Sequence, residues 1–175
     1  MSTRLALLPM IAASGLALAA IAPPSGLTAA ITAPPDEEAA FMLRGEGTHS
    51  FECRPLPTDP SKFAWAFGAP KVTLYDAGRP VARHAAENTW EATGDRSSVS
   101  GAIRARQDGG SASLPWLLYR AQSTPDAGLF ADVSSVQRVN TLGGVAPEIG
   151  CDASNAGKEA SVVVAADYYF YRKLR

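Results

Sequence analysis

Two histidines, two cysteines and one polar run inside a strand-like stretch carry whatever chemistry this 175-residue chain can do. His84 has the residue type of a general base, with Asp95 as a carboxylate to orient it and Ser97 as a nucleophile. A serine needs such a base, and the base needs an orienting partner. No Gly-x-Ser-x-Gly elbow supports that role, so His84 and Asp95 stand as weak catalytic candidates. His49 and His84 with a carboxylate are also metal-ligand types, but no tight ligand spacing accompanies them, and no metal is expected. Cys53 and Cys151 have no histidine beside them, so neither has the base that a catalytic thiol wants. The remaining candidates are ligand-binding residues: Trp90, Arg138, Asn140 and Asp167. No cofactor motif occurs, and none is expected to bind.

Most of these residues must be positioned by the stretch from Leu114 to Gly144 and by the end of the chain. Leu114-Pro-Trp-Leu-Leu-Tyr119 is apolar at odd and even positions, which predicts a strand covered on both faces. A Pro125-Asp-Ala-Gly128 turn follows, then a second strand that stops at Gly143-Gly144. Val136, Arg138 and Asn140 lie two apart and are expected on one, partly interior face. In the closing run Ser161 to Tyr171, Asp167 is alone among apolar neighbours. A buried carboxylate needs a partner, and Arg138 is the expected one.

Other strand-like runs precede these. Gly47, His49, Phe51 and Cys53 share the expected inner face of an alternating segment, where His49 reads as a core histidine bonded to a backbone carbonyl. Pro55 to Pro60 reads as a loop. Lys71 to Tyr75 and Val81 to Ala85 flank a turn at Asp76-Ala-Gly78, and Trp90 to Ala92 leads to a turn at Gly94-Asp95. In Ser98 to Arg106, Arg104 and Arg106 fall with Ser98 and Ser100 on a solvated face. Seven or eight such runs, with no long apolar period of 3.6, predict a single-domain, all-β, antiparallel sandwich or barrel.

The N-terminus reads differently. Arg4, an apolar run and a small-residue stretch make residues 1–30 a secretory signal and cleavage region, with a cut after Ala19 or Ala30. Residues 31–44 read as a flexible Pro/Ala-rich leader and 45–175 as the domain. An exported, periplasmic or extracellular protein keeps few free thiols, so Cys53 and Cys151 are expected to form a disulfide. No transmembrane segment is expected to remain after cleavage. Net charge is −1, which offers no basic field for nucleic acid. A monomer is expected, with an unknown ligand or envelope component as partner.

Four runs together resemble one exported family of bacteria and fungi, the domain of unknown function thirty-four fifty-five. They are Pro115-Trp-Leu-Leu118, Val136-Gln-Arg-Val-Asn-Thr-Leu-Gly-Gly-Val-Ala-Pro147, Cys151-Asp152 and Ala166-Asp-Tyr-Tyr-Phe-Tyr171. The likeness covers residues 45 to 171. His84, Thr89 and Trp90 match an upstream element, with Glu87-Asn88 where the family usually has Gly-Pro. Gly94-Asp95-Arg96-Ser97 loosely resembles the usual Asp-Gly-Ser turn of the family. The resemblance implies export and no particular activity. Some fungal relatives carry a malate dehydrogenase label, but this chain has no Gly-x-Gly-x-x-Gly after a strand and no βαβ pattern. The expected function is a non-catalytic binding or envelope-associated module. The alternative is a secreted hydrolase using His84 with a nearby carboxylate.

Overall fold

The computed structural model describes residues 21–175, apart from Pro23, Glu87, Pro125 and Asp126. Most of the expected signal lies outside the described residues, as do Pro125 and Asp126 of the expected turn. Among the described residues, eight strands follow one another in chain order: β1 (Glu37–Leu56), β2 (Asp59–Asp76), β3 (Arg79–Ala86), β4 (Thr89–Ala92), β5 (Ser98–Gln107), β6 (Trp116–Ser123), β7 (Val133–Gly143) and β8 (Glu159–Lys173). Each pairs antiparallel with the next, and β8 pairs with β1, so the sheet closes into an up-and-down barrel. Closure removes both sheet edges. No helix among the described residues is long and apolar enough to cross a membrane.

Local chemistry explains the connections. Asp76 pairs with Arg79 across a two-residue hairpin, where Ala77 and Gly78 both have positive φ. That conformation suits the right-handed twist of the flanking strands. The segment expected as a loop from Pro55 to Pro60 is mostly strand, and β1 resumes as β2 after two residues. Residues 124–132 join β6 to β7, a longer connection than a tight turn.

The barrel interior below its mouth is filled by rings. Trp90 meets Tyr119, Tyr168 and Phe170 at centroid distances of 5.3, 5.8 and 6.1 Å. Phe41 and Phe130 continue the column against Phe170. Edge-to-face contacts of this sort add to the burial of large apolar area.

The expected leader at 31–44 is corrected here. From Glu37 onward it is β1, and Leu43 is a core residue. Its Ala- and Glu-rich composition conceals a strand because β1 is held between two neighbours, β2 and β8, over most of its length. Ahead of β1 the chain forms a strap along the outside of the wall. The Gln107 side chain accepts from Thr28 N at 2.7 Å and donates to Gly26 O at 2.9 Å. A 3₁₀ turn at Ala29–Ile31 lies against β5 and β6, with Ile31 fully buried. Gln137, outward-facing on β7, donates to Ile31 O and accepts from the Tyr171 hydroxyl. The strap accounts for the two-sided burial expected of β6: Leu117 and Tyr119 face the interior, and Leu118 is buried on the outer face.

Cys53 and Cys151 form the expected disulfide, with Cα atoms 5.3 Å apart across 98 positions of sequence. It ties the end of β1 to the loop that follows β7.

Candidate functional site

One end of the barrel is open, and a cavity of about 410 Å³ enters it. Its walls come from six of the eight strands and from their connections. β1 sends His49 and Phe51 inward, and β2 adds Phe67. β3 contributes His84 and the following turn Asn88. Leu114 and Pro115 lead into Leu117 and Tyr119 of β6, while the loop after β7 closes one side with Gly144, Val145 and Ala146. That loop folds tightly because Gly143 and Gly144 both have positive φ, and a Cβ on Gly143 would stand 2.4 Å from Val163 O.

Two arginines reach this cavity. Arg138 lies opposite Leu117 and Tyr168 in the sheet, and its guanidinium donates from Nη2 to Pro115 O at 2.9 Å. Arg106 arrives by an irregularity. The register of β5 against β6 shifts between Ile103 and Ala105, so Arg106 pairs with inward-facing Leu117 and lines the rim. Bulges re-aim side chains in this way. Arg106 therefore leaves the solvated strip expected for it, and its alternation with Val99 and Ile103 is broken.

The electrostatics are one-sided. No carboxylate lines the cavity among the described residues. His49 Nδ1 donates to Gly144 O at 3.2 Å, as expected of a core histidine, and burial pushes its pKa down, with Arg138 adding to the effect. His84 is pushed down to about 3 by burial, then by the positive charge of Arg138 and by His49. Both rings are therefore neutral near pH 7. Among the described residues, neither ring nitrogen of His84 has a hydrogen-bond partner, and neither does Arg138 Nε. Burial likewise raises the pKa of Tyr168, and the positive charge of Arg138 works against it.

The candidates from the sequence separate into four places. His84 and Arg138 meet in the cavity. Trp90 is fully buried beneath it, against His84. Asp95 lies in the β4–β5 turn at the opposite end of the barrel from the β3–β4 turn that carries Asn88. There it accepts from Ser97 Oγ and N and from Leu129 N, and Ser97 Oγ in turn accepts from Phe130 N. The structure therefore does not bring His84, Asp95 and Ser97 together. Asn140 and Asp167 are on the outer wall, where Asn140 Nδ2 donates to Asp167 Oδ2 at 2.8 Å. Two expectations are corrected by this. Asp167 is paired with Arg44 rather than Arg138, at 2.9 Å. Asn140 does not share the face of Val136 and Arg138, because the β7–β8 register shifts between Val139 and Leu142 and Asn140 itself has φ of 49°.

A family model for a protein of unknown function, DUF3455, matches residues 34–172. The chain belongs to the DUF3455 family. No solved structure matches it, and no curated protein does either. In this DUF3455 chain the run from Gln137 to Ala146 is largely accounted for by geometry. Gln137 holds the strap, Arg138 enters the cavity, Asn140 caps Asp167, and Thr141 Oγ1 donates to Leu114 O at 2.6 Å. Gly144, Val145 and Ala146 then line the mouth. Phe67, Leu114 and Arg106 are among the cavity residues that the sequence reading did not single out as candidates. Only the bulge in β5 would have pointed to Arg106, and no residue type in Ser98 to Gln107 marks it.

Proposed function

We propose that this barrel is a binding module rather than an enzyme, and that its open mouth holds one small, mainly apolar ligand. The cavity carries this reading. At about 410 Å³ it falls within the size range of small-ligand pockets, and Phe51, Phe67, Ile103, Leu114, Leu117 and Tyr119 give it apolar walls. An eight-stranded barrel has room inside for packed side chains or one small ligand. Here rings fill the closed half and leave the mouth half open. The hydrolase reading has less support, since among the described residues His84 has no partner on either nitrogen and Asp95 is engaged with Ser97 and Leu129. Export to the periplasm or beyond belongs to the proposal, and the Cys53–Cys151 bridge supports it.

The neutral, solvent-sensitive dye Nile red tests the reading. Saturable fluorescence enhancement is expected with the wild-type domain, and Ala146→Trp, which narrows the mouth, should weaken it. Unsaturable binding, or equal binding by the narrowed variant, would mean the mouth is not the site.

A further inference from the structure

We infer that the ligand carries a single carboxylate, held at the floor of the cavity by Arg138. This rests on the mouth being a binding site and adds the charge of what binds there. Arg138 is only 8% exposed. Its Nη2 donates to Pro115 O, yet among the described residues no carboxylate lines the cavity and Nε has no acceptor. A buried cation with an open donor is costly until something completes it. His84, 7% exposed on the same cavity, has both nitrogens unpartnered, and one of them carries a proton in the neutral ring. Both unpartnered groups belong to residues that line one cavity, and each has an N–H without an acceptor among the described residues.

The geometry of the group selects the anion. The Nε–H of Arg138 and the ring N–H of His84, both without an acceptor among the described residues, offer one donor to each oxygen of a carboxylate. One buried cation neutralises one charge. A dianionic head, such as a phosphate monoester, would leave its second charge against apolar walls. The body of the ligand lies along Phe51, Phe67 and Leu114 toward the rim. Arg106 stands at that rim, exposed to solvent, and adds attraction for an anion.

Displacement of Nile red by decanoate, its neutral counterpart decanamide, and decyl phosphate provides the test. Decanoate is expected to bind about tenfold or more tightly than decanamide, the usual gain for a hydrogen-bonded charged group. In Arg138→Met, Nile red should still bind while the decanoate advantage disappears. Nile red binding with equal displacement by decanoate and decanamide, or with displacement by neither, overturns the carboxylate and leaves the mouth as a site. An advantage that survives in Arg138→Met overturns the role of Arg138. Should that variant fail to fold, the wild-type comparison decides: decyl phosphate binding more tightly than decanoate overturns a single negative charge. Absence of Nile red binding to the wild type sinks the binding reading itself.

Discussion

The imidazole of His84 lies face to face with the indole of Trp90, ring centroids 5.3 Å apart and planes 8° from parallel. This stack gives His84 an apolar neighbour on one side, and among the described residues neither nitrogen has a partner. Unfolded, His84 takes its proton near pH 6.5; folded, it does so only at about 3. Between those values the unfolded chain binds the extra proton, so this contribution to stability is complete above pH 6.5 and is lost as pH falls toward 3. The loss between neutrality and about pH 5 is on the order of 2 kcal/mol. His84→Phe keeps a stacked ring and removes the titration. Urea melts at both pH values should show the variant losing less stability than wild type, and equal losses would mean His84 is not held neutral.

The partner of Asp167 is open to a double-mutant cycle. Arg44 sits directly opposite Asp167 across the β1–β8 seam, with side-chain exposures of 33% and 19%. Arg44→Met and Asp167→Leu should couple by about 1 kcal/mol, as a half-exposed pair does. Arg138→Met and Asp167→Leu should instead add, to within about 0.5 kcal/mol. Coupling in the second cycle would restore Arg138 as the partner.

Gly143 and Gly144 predict a ranking. A Cβ on Gly143 would meet a backbone oxygen at 2.4 Å, whereas one on Gly144 would meet the ends of Val164 and Leu114 side chains at 2.7 and 2.9 Å. Side-chain ends yield more readily than backbone. With left-handed φ at both sites, Gly143→Ala should cost about 3 kcal/mol and Gly144→Ala about 2 kcal/mol. Thermal melts giving the reverse order would contradict the close approach at Val163.

Removing the disulfide should act on stability and on the mouth together. In the chain-entropy model, closing 98 positions stabilises by about 4 to 5 kcal/mol. Cys53→Ser with Cys151→Ser should lose up to that amount in urea melts. It also frees the loop carrying Gly144 to Ala146, so Nile red should bind less tightly even where the domain remains folded. Unchanged dye affinity would show that the loop is held by its glycine turns and by His49 alone.

Much of the fold could be read from alternation, because a closed meander of short connections keeps strand neighbours close in sequence. His49, Phe51 and Cys53 face inward as period two requires, and the Asp76-Ala77-Gly78 hairpin follows from its residues. The site was harder to read. Two bulges, one in β5 and one in β7, exchange the faces of Arg106 and Asn140, and alternation cannot register a one-residue slip. Arg44 was passed over as the partner of Asp167 because Pro- and Ala-rich composition placed it in a leader, whereas pairing with β8 is a contact between the two ends of the chain. His84 and Arg138 were visible as residue types, but what marks them as a candidate site is their atoms without partners among the described residues, and such atoms leave no trace in a sequence.

Pulled from its N-terminal side, the strap would come away before the barrel felt the load. Its fastenings lie in series: Gly26 and Thr28 at Gln107, Ile31 at Gln137, then Asp36 O under Leu174 N. Each would bear the whole tension in turn, since the next stays slack until the one before it breaks. β1, by contrast, is bonded along both edges. A tether on that side would therefore give in small steps at low force, uncovering Gln137 on the outer wall, while the mouth and its arginines kept their shape.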